Sequence, residues 1–471
     1  MGTSLAETYA EFAAGLSYDA IPERVRRAAM WHIVDALGVT LAATAPGEDT
    51  GEALRRAAER WESADGGATV VGTGQRLRPE TAALVNGSLG QALEMDDKHG
   101  PSLARPGSTV IPAALAVAEA DGRTVHDLVT AVVAGYEVMI RLGFVGGKRF
   151  LARGYHTSSL LAPFGSAAAI GRLNGLDPAR IVDAFGIAGT FASGIQESTR
   201  TGATSKILHG GWGAHGGIIA TDLASAGITG PASVFEGDMG FFFSHLSPVD
   251  GELDWARGTA GLGEEWLLPD TAVKPYPCCQ LLHSFIDGMK DLRVELAEAG
   301  LGAQDIERID ARLAEPGLTL VTQPLERKLA PQEAHEARFS LPFVVAHTFV
   351  HGEVDVNTFT AAALRDETVR ALALKVVPGE DPDSDYPAHD PADIDIVAGG
   401  RTFHRRVAHH PGSPERPLLE PDILAKFERN TAWALGEEAG RIGTRLAELD
   451  PDEPAAAFIG ALAGAPTLSH S

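Results

Sequence analysis

The sequence has little cysteine and no long uninterrupted apolar run. Its only two cysteines, Cys278 and Cys279, are adjacent. Neighbouring cysteines rarely bridge each other, so we expect no disulfide framework and a reducing compartment. The longest apolar stretch, residues 30–45, is interrupted by His32 and Asp35, so no membrane span is predicted. The first residues lack the basic region and apolar core of an export signal, which favours a cytoplasmic protein.

Positive charge and aromatic residues are also scarce. The chain has 39 Lys and Arg against 63 Asp and Glu, a formal net charge of −24, which argues against nucleic acid or an anionic membrane as partner. An anionic substrate would therefore need a local group of cations. Aromatic residues make up only 6% of the 471 residues, whereas glycine occurs 53 times. Small residues let helices approach closely, so the composition favours a helical protein of two or three domains.

Apolar residues recur with helical spacing through most of the first 269 residues. Pro22 precedes a helix that is predicted to end at Gly38, and Thr124 with Asp127 forms a capping-box pattern that opens another. Helical periodicity returns after residue 405. We therefore predict a mainly α protein, in which residues 1–269 and 406–471 form a large all-α domain.

The pattern changes between residues 270 and 405. The stretch ERIDARLAE alternates apolar and charged residues, as a half-buried strand does. The stretch DIDIVAGGRTFHRRV contains two such runs joined by Gly399 and Gly400, which predicts a hairpin. A helical stretch lies between these strands. Residues 270–405 are therefore predicted to form a smaller α+β domain.

Standard cofactor and metal motifs are incomplete in this chain. The stretch HEARF fails the zinc motif HExxH because its last residue is Phe339, and the two cysteines have no second pair with which to bind zinc. The stretch GTGQRL lacks the last glycine of the dinucleotide motif GxGxxG. We therefore expect neither a metal nor an organic cofactor.

Ionisable residues crowd instead into four short stretches that also contain small residues. The stretches are EMDDKHGPSLARPG with Glu94, Asp96, Asp97, Lys98 and Arg105; GYHTSS with His156; SKILHGG with Lys206 and His209; and KPYPCCQLLHS with His283. A ligand site is one interpretation of the first stretch. A surface ion pair is the other, because Glu94 and Lys98 stand four positions apart in the favourable order.

Together and in order, these stretches resemble the MmgE/PrpD family, which includes 2-methylcitrate dehydratase, cis-aconitate decarboxylase and iminodisuccinate epimerase. The resemblance runs from LSYDAIPERVRRAAMWHIVDALGVTLAA through KILHGGWGAHGG and KPYPCCQLLHSFID to HHPGSPERPL, nearly the whole chain. It implies a large helical domain with a smaller α+β lid, a homodimer, and metal-free chemistry on a small carboxylate between the two domains.

The resemblance also implies functions for individual residues. His156, Lys206 and His283 match positions that line the family's pocket. Asp96 and Asp97 match its acidic pair. These five residues come from stretches that are far apart in the sequence, so the resemblance predicts that the fold brings them to one site.

Three positions of the first stretch differ from the decarboxylase branch of the family. Glu94 stands where that branch has Asp, Lys98 where it has Thr, and Arg105 where it has His. A carbon acid next to a carboxylate ionises to an enediolate, and cations stabilise the charge that develops there. Lys98 and Arg105 add positive charge to the predicted site.

We predict a cofactor-independent enzyme that removes a proton next to a carboxylate, most readily a dehydratase or hydratase. The alternatives are an epimerase or decarboxylase on the same substrates, and a catalytically silent dimer that binds an anion. The candidate catalytic residues are His156, Lys206, Asp96 and Lys98. The candidate substrate-binding residues are Glu94, Asp97, Arg105, His209 and His283.

Overall fold

The computed structural model of the chain describes residues 3–61, 66–247, 252–386 and 388–462. Its first part is helical apart from a short hairpin of β1 (Ala68–Thr69) and β2 (Arg76–Leu77). The helices here are α1 (Leu5–Gly15), α2 (Glu23–Ala42), α3 (Asp49–Ala58), α4 (Pro79–Ala92), α5 (Gly107–Ala120), α6 (Val125–Gly146), α7 (Arg149–Ala152), α8 (Thr157–Leu173), α9 (Pro178–Ala188), α10 (Glu197–Thr201), α11 (Leu208–Ser225), α12 (Phe241–Leu246) and α13 (Trp255–Thr259).

The second part contains the larger sheet, and the chain then returns to helices. Its elements are α14 (His283–Glu298), β3 (Ile306–Leu313), α15 (Glu315–Thr322), α16 (Leu325–Leu329), α17 (Ala334–Ala337), α18 (Leu341–His351), α19 (Glu367–Ala373), β4 (Val376–Glu380), β5 (Ala392–Ala398) and β6 (Arg401–Val407). The last helices are α20 (Glu420–Leu435), α21 (Ala439–Ala447) and α22 (Ala457–Gly460). The prediction of a mainly α protein with a small mixed sheet is confirmed.

Local sequence signals explain several helix ends. The Thr124 side chain accepts a hydrogen bond from the backbone N–H of Asp127, and the Asp127 carboxylate accepts one from the backbone N–H of Thr124, so the predicted capping box is confirmed. The predicted end of α2 at Gly38 is wrong, because the helix continues to Ala42. Gly38 instead allows close packing, since an added Cβ would lie 2.8 Å from the Phe427 ring.

Helices α4, α8 and α11 pack closely through glycines of α11. A Cβ added to Gly213 would lie 2.1 Å from the Cβ of Ala162, and one added to Gly217 would lie 2.2 Å from the Cβ of Ser166. Both neighbours belong to α8, whose side chains are almost all buried. This packing sets the position of the first turns of α8 and α11, which carry residues of the candidate site.

Gly213→Ala should therefore lower the free energy of unfolding by about 1–3 kcal/mol, because the added methyl forces α11 away from Ala162. Urea denaturation measures the change. Gly15→Ala is the matched control, since Gly15 is also helical and an added Cβ there has no heavy atom within 4 Å. Equal stability of the two variants would contradict the close packing.

Helix α6 is long and apolar enough to cross a membrane by length and composition, and it is the one such helix in the described ranges. Its most apolar window is 94% buried inside the protein. Core helices of globular proteins pass the same test of length and composition. Here α6 packs against α8, and its apolar side chains are buried in the core of the protein.

The buried apolar side chains form two clusters. One extends from α1 to residue 273 and includes side chains of α20, α21 and α22. The other contains residues of the segment 276–403. The predicted boundaries at 270 and 405 stay a prediction, because no independent folding of the two parts has been tested. Residues 463–471 of the predicted helical domain lie outside the described residues.

The second cluster is built on a four-stranded sheet with the order β4-β3-β5-β6. Strands β3 and β4 are parallel, and the other two pairs are antiparallel. Gly399 and Gly400 both have positive φ, +55° and +72°, as the tight turn between β5 and β6 requires. The predicted hairpin is confirmed. Helices α14 and α18 pack in the same unit.

Helix α20 returns the chain to α2. The Lys426 ammonium lies 2.7 Å from the Asp35 carboxylate, and both groups are buried. Lys426 also donates to the backbone carbonyl of Met95 at 3.3 Å. The C-terminal helices therefore complete the first core and support the segment that follows α4.

Candidate active site

The segment 93–106, between α4 and α5, forms one wall of the candidate site. Helix α4 ends at Ala92, and Glu94 has a φ of +54°, which is uncommon for a residue other than glycine. The backbone carbonyl of Glu94 accepts a hydrogen bond from the Lys274 ammonium at 3.1 Å. This conformation turns the Glu94 side chain into the protein, where it is fully buried.

Glu94 holds two cations. One carboxylate oxygen pairs with the Lys206 ammonium, and the other lies 3.5 Å from the Arg105 guanidinium. Burial raises the pKa of Glu94, but the charges of Lys206 and Arg105 outweigh it, so the pKa lies below its ordinary value. Glu94 is therefore ionised, and it fixes two cations at one point in the interior.

The interpretation of Glu94 and Lys98 as a surface ion pair is wrong. Both residues are buried and follow the end of α4, so they do not share a helix face. Lys98 pairs through its backbone with Ala272, and its ammonium lies 3.6 Å from the Asp390 carboxylate. Burial lowers the pKa of Lys98 below its ordinary value, with Asp390 opposing the shift. Lys98 thus faces the second cluster.

The two aspartates bind protein groups. Asp97 accepts hydrogen bonds from the backbone N–H of Gly107 at 2.8 Å and from the Tyr136 hydroxyl at 2.7 Å, and it lies 2.8 Å from a ring nitrogen of His32. Its two oxygens are thus engaged by protein groups, and one of them holds the start of α5. Binding of substrate by Asp97 stays a prediction.

Asp96 also lies in the wall, with several partners. Lys274 lies 3.3 Å from one of its oxygens, and the other accepts hydrogen bonds from Ser108 at 3.1 Å and Gln91 at 3.3 Å. Asp96 is buried. A catalytic function for Asp96 stays a prediction, and any proton transfer there has to displace one of these partners.

Lys206 lies in a short 3-10 turn, Thr204–Ile207, just before α11. Its side chain is 2% exposed, and its ammonium lies 5.4 Å from the centre of the Phe339 ring, on the second cluster. Burial lowers the pKa of Lys206 below its ordinary value, and the charge of Glu94 opposes that change. Lys206 therefore stands where the two clusters meet.

His156 stands beside His209. His156 is the residue before α8, and its Nδ1 lies 3.0 Å from the Nδ1 of His209, in the first turn of α11. Burial, then the charge of Lys206, lowers the pKa of His156 well below its ordinary value. The same causes lower the pKa of His209 to about 4. Both imidazoles are neutral near pH 7, so one donates its Nδ1–H to the other.

His283 is fully buried, and its binding of substrate stays a prediction. It begins α14 and its Nε2 lies 3.3 Å from the backbone carbonyl of Cys278. Its ring packs edge-on against His410, whose Nε2 lies 2.7 Å from the Gln280 amide nitrogen. The Nδ1 of His283 is buried and has no hydrogen-bond partner among the described residues. Burial, with the charge of His410, lowers the pKa of His283 well below its ordinary value.

Three further residues of the site were not predicted from the sequence. Lys274 begins the stretch KPYPCCQLLHS, from which the sequence predicts only His283 as a site residue. His335 is buried with both ring nitrogens unpartnered among the described residues, and burial, with Glu94 opposing and Lys206 reinforcing the shift, lowers its pKa to about 4. Tyr386 is half-buried beside the site, where burial and then the charge of Asp390 raise its pKa and Arg105 opposes the shift. His335 is the first residue of HEARF, the incomplete zinc motif.

The chemistry of the site suits an organic anion. Its described charged groups are the cations Lys98, Arg105, Lys206 and Lys274 and the carboxylates Glu94, Asp96 and Asp390. Each carboxylate already has a cation beside it, and the nearby imidazoles are neutral. A metal cation would have to displace lysine or arginine from these carboxylates. A substrate carboxylate, by contrast, meets donors that have few other acceptors.

Comparisons with known proteins match most of the chain to one protein family. The model of the MmgE/PrpD N-terminal domain matches residues 7–252, and that of the MmgE/PrpD C-terminal domain matches residues 276–449. The cis-aconitate decarboxylase of Mus musculus is 29% identical over 449 residues, which cover 92% of this chain and 88% of that protein. The cis-aconitate decarboxylase of Homo sapiens is 29% identical over 469 residues, 95% and 92% of the two chains. A cis-aconitate decarboxylase-like protein of Aspergillus oryzae is 27% identical over 389 residues, 79% and 80% of the two chains.

Proposed function

We propose that this member of the MmgE/PrpD family, a lyase-type enzyme, removes a proton next to a carboxylate in a small di- or tricarboxylate. The reaction is a dehydration or its reverse, and it uses no metal or organic cofactor for the proton transfer. The enzyme acts in the cytoplasm as a homodimer, and the α+β part covers the site as a lid. Light scattering of the purified protein tests the dimer.

The observation that carries this proposal is the buried group of Glu94, Lys206 and Arg105. A carbon next to a carboxylate is a weak acid, because removal of its proton places a second negative charge on the carboxylate oxygens. Cations fixed in a buried site stabilise that charge as it develops, without reorganising at the moment of reaction. Glu94 holds the ammonium and the guanidinium in place for this.

His156 is the proposed base. When His156 donates its Nδ1–H to His209, the lone pair of its Nε2 is free to accept the substrate proton. The lowered pKa keeps this imidazole neutral near pH 7. Transfer of the proton to Nε2 leaves an imidazolium and an enediolate. The imidazolium then returns its proton to the departing β-hydroxyl group, which gives water, the carbon–carbon double bond and the neutral imidazole.

Decarboxylation of cis-aconitate is the second candidate, because the proteins from Mus musculus and Homo sapiens that match over most of the chain carry that name. A carboxylate leaves as CO2 most easily when no cation holds its charge. The extra cations Lys98 and Arg105 lie in the wall of the site, where they hold a carboxylate in place. This difference favours loss of water over loss of CO2.

Incubation with cis-aconitate, citrate and 2-methylcitrate in D2O, followed by proton NMR and CO2 measurement, tests the proposal. We expect interconversion of hydroxy acid and alkene with deuterium at the reacting carbon, and no CO2. Release of CO2 from cis-aconitate would favour the second candidate. Absence of both product and deuterium across a wider panel of carboxylates would favour the silent anion-binding dimer. The Glu94→Gln/Lys206→Met variant is the matched negative control.

A further inference from the structure

A separate group of ionisable residues lies at the surface, outside the candidate site. His389 belongs to the connection between β4 and β5, and His409 and Glu415 belong to the connection after β6. One ligand atom from each residue lies within 4.8 Å of the others. His389 Nε2 is 3.1 Å from one Glu415 oxygen, and His409 Nδ1 is 3.7 Å from the other. The two imidazole rings are 4.6 Å apart.

These separations fit a shared metal ion. Zinc binds histidine nitrogen and carboxylate oxygen at close to 2.1 Å in a tetrahedral arrangement, which places neighbouring ligand atoms about 3.4 Å apart. The distance from His409 Nδ1 to Glu415 is too long for a hydrogen bond. That nitrogen is shielded from solvent and has no hydrogen-bond partner among the described residues. A bound cation would satisfy it.

The surroundings of His389 also fit a metal ligand. Its Nδ1 pairs with the Asp385 carboxylate, four residues earlier, while its Nε2 faces Glu415. Metal-bound histidines commonly donate their second ring N–H to a carboxylate, which fixes the tautomer and the ring orientation. Ordinary surface ion pairs would account for His389 with its two carboxylates, but they leave His409 Nδ1 without a hydrogen-bond partner among the described residues.

The neighbours of the ligands connect this cluster to the candidate site. Asp390, next to His389, lies 3.6 Å from the Lys98 ammonium. His410, next to His409, bonds Gln280 and packs on His283. We propose that His389, His409 and Glu415 bind one zinc-like divalent cation, which fastens the segments 381–390 and 409–416 together over the candidate site. The cation is structural, so it takes no part in the proposed proton transfer.

Titration of the tag-free, chelator-treated full-length protein with Co2+ tests the binding, because tetrahedral Co2+ gives visible absorption bands. Calorimetry with Zn2+ then gives the stoichiometry. We expect one ion per chain, an affinity more than about tenfold weaker in His409→Ala and Glu415→Gln, and one 10–100-fold weaker in Asp385→Asn. His404→Ala is the matched control, since His404 also pairs with aspartates on this face but lies outside the cluster.

Equal Zn2+ affinity in wild type, His409→Ala and Glu415→Gln would overturn the site. Hydrogen–deuterium exchange tests the fastening. We expect Zn2+ to slow exchange in the segments 381–390 and 409–416 of the wild type and of His404→Ala, and to leave His409→Ala unchanged. Binding without this protection would overturn the fastening. Both readouts are independent of turnover, so they stand whether or not the proposed reaction is correct.

Discussion

Replacing Lys206 by methionine should lower kcat by about 10²–10³-fold, because the developing charge on the substrate carboxylate loses its closest buried cation. The same change leaves Glu94 buried without that partner, which should lower the free energy of unfolding by about 3–5 kcal/mol. Loss of activity alone does not separate chemistry from stability.

The double variant Glu94→Gln/Lys206→Met separates the two effects. Removing both charges leaves neither member of this pair buried alone, and Arg105 keeps the charge of Asp96 nearby, so part of the lost stability should return, whereas kcat should stay about 10²–10³-fold below that of the wild type. Urea denaturation and steady-state kinetics measure both quantities. Arg141→Met is the matched control: it breaks the buried pair with Glu137 in α6, away from the site. It should lower stability and leave the kcat of folded enzyme unchanged. Recovery of kcat in the double variant would remove Lys206 from the mechanism.

Replacing His156 by glutamine should lower kcat by roughly 10²–10⁴-fold, because the proposed base is lost. The variant should also fail to exchange the reacting hydrogen with D2O. His215→Gln is the matched control, since His215 is on α11, as is the His156 partner His209, but stacks on Trp212 and lies 3.0 Å from the Glu80 carbonyl. Wild-type exchange in His156→Gln would assign the proton transfer to another residue.

The pH profile gives a further check on His156. Because burial lowers its pKa, His156 stays neutral and able to accept a proton below pH 6.5, where an ordinary imidazole is half protonated. The kcat/KM of the wild type should therefore hold its value at pH 6.5 and fall only at lower pH.

The losses in His156→Gln and Lys206→Met should also be non-additive, as expected for two groups that act on one transition state.

Local signals in the sequence predicted the parts of the fold that depend on a few neighbouring residues. The capping box at Thr124 and Asp127 and the turn at Gly399 and Gly400 follow from such signals. The end of α2 was wrong because Gly38 meets Phe427, a contact between distant segments. The family resemblance, which rests on several motifs in order, is confirmed by the matches to both domain models.

The site could be located from the sequence, but its pairings could not. Crowding of charges predicted a site at residues 94–105, yet Glu94 pairs with Lys206, 112 positions away, and with Arg105, rather than with Lys98. His335 stands in an incomplete zinc motif, and its place in the candidate site follows from burial beside Glu94. No sequence motif joins the proposed metal ligands His389 and His409, because they belong to separate segments. Tertiary contacts decide each of these cases.

The pairing of Asp35 with Lys426 has a consequence for synthesis of the chain. The two residues are about 390 positions apart, which at roughly 5–20 residues per second is about 20–80 s of translation. During that time α2 has been made, while the helix that covers its inner face has not left the ribosome. The first core is therefore incomplete until nearly the whole polypeptide has emerged, and the part of α2 that packs on α20 is open to chaperones for most of translation.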